Sequence, residues 1–316
     1  MKGPDFKHLN LQSIKNISFI IIIGVIVLSV VVFISPFTYL DYVLMYFFAF
    51  AIFAISWDFL YSYSGQLSLG HAIPFGIGAF TVAILASKYQ LNPVIGLFIA
   101  PFTASLIGGL IGMTTIRLKP AYQGIALLLF SQVLYWFTLL QFSDEGISFG
   151  YRNGLPVLGF NESYFIGILV FIVGSISILL IEHSKIRLKL LAIKQDSFAA
   201  YASGINVTFY KIFTLFVSSF FAGLGGGFLA LYTFHTDYTI FLVSNDFLPI
   251  AMSIVGGTQL LGGVLLGSLL ISFLDTILPA YVSLAVTYLI YGILVILVLR
   301  IFPEGIKGII KKIRVT

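Results

Sequence analysis

The sequence predicts an all-α polytopic membrane protein of about ten transmembrane or re-entrant helices with both termini cytoplasmic. Three observations carry that expectation. Of 316 residues, 59% are apolar and only 9% are charged, against about 45–50% and about 25% in a soluble domain. Apolar runs of about 20 residues, enough to cross a hydrocarbon core about 30 Å thick, follow one another with short breaks. Lysine and arginine then gather in alternate breaks, as the positive-inside rule requires. The same figures exclude a soluble globular domain and a disordered chain. With no cysteine there is no disulfide scaffold, thiolate metal site or cysteine nucleophile.

A polar tail, residues 1–16 with Lys2, Lys7 and Lys15, precedes an unbroken apolar run from Ile17 to Ile34. That run is too long for the apolar region of a signal peptide, and no small-x-small cleavage site follows it. It reads as a retained first span. Further spans are expected near 39–61, 66–87, 91–116, 121–142, 163–182, 210–233, 239–256, 261–278 and 281–302. Two cuts, 64–66 and 256–261, are short, uncharged and glycine-rich, so a neighbour of either could be re-entrant or broken. The organisation is then a tail 1–16, a transmembrane domain 17–302 that includes a cytoplasmic loop 183–210, and a basic tail 303–316. With the N-terminus inside, 15 of the 17 lysines and arginines are cytoplasmic, leaving only Lys88 and Arg152 outside. The longest outer loop is 142–162. In the last segment Ile306, Ile309, Ile310 and Ile313 recur at helical spacing opposite basic residues, the pattern of an interfacial helix on anionic lipid. No basic face interleaved with aromatics points to nucleic acid.

The stretch from Ser64 to Gly78 holds four glycines and a proline. In a helix interior each glycine costs about 1 kcal/mol and proline about 3 kcal/mol. Irregular backbone at membrane depth survives where protein buries it or a watery cavity lines it, and transporters aim such broken helices at substrate near the midplane. Gly65, Gln66, Ser68, Gly70 and His71 are therefore candidates for lining a translocation path, with close helix packing as the competing explanation. A second cluster, Gly256-Gly257-Thr258-Gln259-Leu260-Leu261-Gly262-Gly263, adds Gly256 and Gly257. The pairs Gly108/Gly112, Gly223/Gly227 and Gly263/Gly267 have the spacing of packing faces. Asp41, Asp58, Asp246 and Asp275 fall near span ends, where a carboxylate is expected to reach headgroups or water. That placement argues against a self-driven carrier, whose coupling ion needs acids in mid-membrane. The four histidines, 8, 71, 183 and 235, show no metal-ligand spacing, and no Walker A, GxSxG or dinucleotide motif occurs. No catalytic residue and no metal site is assigned.

The loop 183–210 contains Leu190 to Asn206, an alanine-rich segment that ends at Gly204, a residue suited to the left-handed position after a helix. Such a helix could seat in a groove of a soluble partner or could be a solvated connector.

At these segments the chain resembles the permease subunits of branched-chain amino-acid ABC importers, specifically the LivM type. The resemblance rests on Gly65 to Ala72 followed by Phe75 to Phe80, on 192–207, on Phe220 to Gly226, on Gly256 to Gly263, and on Phe302-Pro303-Glu304-Gly305. These blocks stand in family order across about residues 40 to 310. The resemblance implies a multi-pass subunit of the cell membrane that is not itself an enzyme and binds no cofactor, with ATP bound by partner subunits. Its implied partners are a second homologous permease, two cytoplasmic ATPases and an extracytoplasmic binding protein delivering leucine, isoleucine, valine or a related compound. Lys194, Gln195, Asp196, Ala199, Ala200 and Gly204 would then belong to the helix that couples to an ATPase. The chain departs from the family where an arginine and a glutamate usually stand near Lys194, Gln195 and Asp196. It departs again in the outer loop, where only Gly154-Leu155-Pro156 matches clearly. Permeases for urea or short amides, or for sugars, are relatives of this type, and a stand-alone secondary carrier is the alternative from another class.

Overall fold

The computed structural model describes residues 21–30, 33, 38–142, 145–149 and 159–301. The tail 1–16, the basic segment 303–316, the Phe302–Gly305 block and most of the outer loop lie outside them. Helix α1 is Ile21–Val30, and α2 (Thr38–Ser64), α3 (Ala72–Tyr89), α4 (Pro93–Thr114) and α5 (Pro120–Phe142) follow. Strand β1 (Ile147–Ser148) precedes α6 (Phe160–Glu182), α7 (Lys185–Gln195), α8 (Ser197–Ala202) and α9 (Val207–Thr233). Strand β2 (His235–Thr236) and a 3-10 turn (Tyr238–Phe241) lead into α10 (Val243–Gly256) and α11 (Leu261–Ile277). A second 3-10 turn (Leu278–Ala280) and α12 (Leu284–Ile301) complete the described residues.

The molecule is a predominantly helical, multi-pass membrane protein. Among the described residues seven helices are long and apolar enough to cross a bilayer: α2 to α6, α9, and α11 with its 3-10 extension. Helix α10, with 14 residues, is about 21 Å long, short of a full crossing. The expected span 239–256 is thus a 3-10 turn plus a short helix. The expected span 66–87 also shrinks, because α3 begins only at Ala72. Gly65, at φ 70°, ends α2 in a conformation that only glycine adopts without strain, and residues 65–71 stay non-helical. Among the described residues the strands are confined to a two-residue antiparallel ribbon, Ile147 opposite Thr236 and Ser148 opposite His235.

Helix α2 is apolar all round, which places it inside a bundle. From Val43 to Leu60 every side chain except Tyr46 is buried. It packs on α9, α11, α6 and α10, while α9 packs also on α3 and α4. Small residues permit the closest approaches. A Cβ on Gly226 would run into the carbonyl of Phe75, one on Gly78 into Gly223, and one on Gly256 into Gly263. All three expected small-residue pairs do sit at helix contacts: Gly108 on Pro74, Gly112 on Leu215, Gly223 on Ala104, Gly227 on Ala100, Gly263 on Gly256 and Gly267 on Met252. The outer faces of α4 and α5 expose Phe98, Phe102, Leu129, Val133 and Leu140, a surface of the size and apolarity that meets lipid or another subunit.

Candidate functional site

The seven residues between α2 and α3 run through the interior. Gln66 is 2% exposed, and its Nε2 faces three acceptors: Ser64 Oγ at 3.0 Å, Lys211 O at 3.0 Å and Thr214 Oγ1 at 2.8 Å. Its Oε1 accepts from Gln123 Nε2 at 3.3 Å. One amide thus ties this loop to α9 and α5, satisfying polar groups that would be expensive to bury alone. The backbone carbonyl of Ser68 accepts from Trp57 Nε1 at 2.7 Å. Gly70 lies against the backbone of Leu127, leaving no room for a Cβ. His71, also buried, places Nε2 2.9 Å from Ser56 Oγ and 3.5 Å from Ser218 Oγ. Its ring stacks on Phe53 at 5.4 Å between centroids.

The first N–H of α3 needs a partner that His71 does not supply, since its side chain makes no cap. Asp246 supplies it from α10: Oδ1 accepts from Ala72 N at 2.8 Å. A carboxylate also suits the positive end of a helix dipole. Asp58 does comparable work near the end of α2. It accepts from Ser62 Oγ at 2.6 Å and from Gln259 N at 3.2 Å, holding the loop after Gly256 and Gly257 (φ 98°). The expectation that the span-end acids reach water is corrected here. Asp41 is 5%, Asp58 2% and Asp246 0% exposed, and Asp275 accepts from Tyr291 Oη at 2.7 Å. Asp58 and Asp246 are inside because each satisfies backbone N–H groups freed by a helix break. Sequence spacing gave no sign of that pairing, since the partners lie 201 and 174 residues away.

The loop 183–210 folds as two short helices at the end of the bundle where α2 stops. Ser184 caps α7 by accepting from Ile186 N at 3.2 Å. Asp196 caps α8, accepting from Phe198 N at 2.8 Å and Ala199 N at 3.1 Å, the usual service of an N-cap aspartate. Lys194 turns inward: its Nζ donates to the carbonyl of Ser62 at 2.9 Å and lies 5.2 Å from the centre of the Tyr61 ring. Partial burial holds its pKa below the ordinary lysine value, with the Asp58 carboxylate opposing that shift. Gln195 and Ala199 are exposed and Ala200 is buried. Gly204, at φ 81°, closes α8 with nothing near a prospective Cβ. The sequence reading missed two side chains of this segment, Phe198 at 89% and Tyr201 at 74% exposed. An aromatic pair standing free on an otherwise small-sided helix was the available signal.

The expected site residues therefore fall into two groups that meet. Gly65, Gln66, Ser68, Gly70 and His71 form one buried loop. Gly256 is packed on Gly263, and Gly257 opens the turn that Asp58 holds. Lys194 links the peripheral helices to the same end of α2, its Cγ 3.1 Å from where a Cβ on Gly65 would stand. Gln195, Asp196, Ala199 and Gly204 face away from this cluster. Among the described residues no three His, Cys, Asp or Glu side chains gather as metal ligands.

Residues 39–299 match the model of a family described as the permease component of the branched-chain amino acid transport system. A curated relative from Haemophilus influenzae, ribose import permease protein RbsC, is 29% identical over 253 residues, 72% of this chain and 73% of that protein. A second, the probable branched-chain amino acid transport permease protein LivH of Methanocaldococcus jannaschii, is 29% identical over 164 residues, 48% of this chain and 50% of that protein. No solved structure matches the chain.

Proposed function

The chain belongs to this family of ABC-transporter permease components, and we propose that it is a LivM-type subunit that imports branched-chain amino acids. It forms half of a translocation path beside a homologous permease. Two cytoplasmic ATPases drive it, and an extracytoplasmic binding protein delivers the substrate. The chain itself holds no cofactor; ATP is bound by the partners. The observation that carries this reading is the contact of Lys194 with the Ser62 carbonyl. It joins α7, and through it α8 with its outward Phe198 and Tyr201, to the last turn of α2 just before the buried loop 65–71. A push on the peripheral helices is thereby delivered to the break between α2 and α3.

A second reading, a sugar permease, is favoured by the relative named for ribose import, which matches more of this chain than the amino-acid relative does. Purification from the native membrane followed by reconstitution separates them. The expected result is co-purification of a second permease and two ATPases, with uptake of L-leucine that requires ATP and the binding protein. Uptake of D-ribose in its place selects the sugar reading. Transport by a homo-oligomer without ATP, collapsing with the proton or sodium gradient, overturns both.

A further inference from the structure

Gly226 and Gly256 mark places where helices touch, and Gly292 does the opposite. A Cβ built on Gly292 meets nothing within 4 Å, so a residue that weakens a helix interior here serves no packing contact. It lines a groove of about 420 Å³ between α10 and α12. Phe247 and Ala251 belong to the α10 wall, and Gly292 and Ile296 to the α12 wall. Two residues of the lining carry hydroxyls. Ser244 stands in the first turn of α10, and Tyr291 donates its hydroxyl to Asp275 Oδ1 at 2.7 Å. The remaining lining is apolar.

Helix α12 carries a single charge, Arg300, in its last turn. Gly292, Ile296 and Arg300 follow one another at intervals of four, and residues so spaced lie along one ridge of a helix. From Gly292 to Arg300 the helix rises about 12 Å, close to the depth of one leaflet, half of a hydrocarbon core about 30 Å thick. Arg300 is exposed, and an arginine at the end of an apolar helix carries its guanidinium to headgroup level. The apolar groove therefore leads, on one face of α12, to a cation at the membrane surface. The sequence beyond α12 adds to that charge, with Lys307, Lys311, Lys312 and Arg314 against one acid, Glu304. Basic residues gathered beside a membrane helix attract anionic lipid.

We infer that the groove between α10 and α12 binds one acyl chain of an anionic phospholipid whose phosphate is held by Arg300. The chain lies over the bare backbone at Gly292, with Phe247 on one side and Ile296 on the other. The guanidinium fork of Arg300 matches phosphate geometry, which a point charge does less well. A helix from another subunit seated in the groove would have to bring its own carboxylate to Arg300. A phospholipid brings the anion and the chain together, already separated by the depth of the leaflet. The inference concerns the membrane side of the molecule and holds whichever substrate is carried.

The test uses the transporter as purified from its membrane and reconstituted in phosphatidylcholine vesicles. Ile296→Cys, at a position 65% exposed, gives the chain its one thiol, since it has no native cysteine, and the thiol is labelled with bimane. The unmodified chain, treated alike, supplies the background from other subunits. Phosphatidylglycerol or phosphatidylcholine brominated on the acyl chains is then added as quencher. Half-quenching should need a mole fraction about fivefold lower for phosphatidylglycerol, the factor that one arginine near an anionic surface supplies. Arg300→Gln should abolish that preference and Arg300→Lys should keep most of it. Gly292→Phe, which fills the groove, should abolish it too. Quenching by phosphatidylcholine at high mole fraction in each variant shows that the helix is still inserted. Equal quenching by the two lipids in the Ile296→Cys protein overturns the inference, because it marks ordinary boundary lipid. No quenching by either overturns it as well, because another subunit then covers the groove. A preference that survives both Arg300→Gln and Gly292→Phe places the lipid elsewhere and also overturns it.

Discussion

At the scale of single residues the buried polar groups are occupied in closing gaps where helices break. Gln66 spans α9 and α5, Asp246 caps α3 and Asp58 holds the loop at Gln259. Each replaces hydrogen bonds that an unbroken helix would have made for itself. Replacing Asp246 with leucine should leave the Ala72 N–H without a partner, a loss of about 1–3 kcal/mol. Asp246→Asn keeps an acceptor and should lose markedly less. Thermal unfolding of the two variants in detergent measures the difference, and equal melting temperatures would show that the cap contributes nothing. Gly226→Ala should be worse than its size suggests, since the new Cβ meets the Phe75 backbone and overpacking costs about 1–3 kcal/mol. Gly204→Ala meets open space and suffers only the strain of a left-handed backbone, about 1 kcal/mol. Comparing the membrane levels of the two alanine variants checks that order.

The peripheral helices α7 and α8 carry the clearest division of labour between elements. Ala200 is buried, so a bulky residue there should disturb the seat of α8 and lower the amount of protein in the membrane. Ala199, on the exposed side, is the clean position: Ala199→Trp should abolish ATP-dependent uptake while leaving that amount intact. Phe198→Ala and Tyr201→Ala should weaken co-purification of the ATPases, because exposed aromatic side chains are characteristic anchors of protein interfaces. Retention of the ATPases at wild-type level in the double variant would show that α8 is only a connector. Lys194→Met removes the hydrogen bond to Ser62 while keeping much of the side-chain bulk. It should leave ATPase binding in place and lower substrate-stimulated hydrolysis, which a plain loss of docking would not do.

For the whole molecule, the exposed apolar faces of α4 and α5 and the buried course of α2 describe a bundle with a solid centre. A single-chain carrier would need its own pathway through that centre. Here the breaks at 65–71 and 257–260 are filled by protein side chains. Much of this was legible in the sequence: the apolar runs, the packing glycines and the weakness of the cuts at 64–66 and 256–261. The start of α3 was not legible, because apolar character continues through Leu67 and Leu69 while the backbone has already left the helix at Gly65. The shortness of α10 was hidden in the same way, since Tyr238 to Phe241 are as apolar as a helix but turn as a 3-10 segment.

Composition and periodicity by themselves determined that the chain is a bundle of membrane helices with weak points at Ser64–Gly78 and Gly256–Gly263, because burying a backbone in hydrocarbon demands helices and penalises glycine and proline within them. Only the tertiary structure decided what fills the breaks. Asp58 with Gln259, Asp246 with Ala72, and Lys194 with Ser62 are pairs 132 to 201 residues apart. No local pattern encodes such a pair, since a buried hydrogen bond is fixed by which two chain segments arrive side by side. The span-end acids show this most plainly: sequence position placed them near water, and packing turned three of them inward.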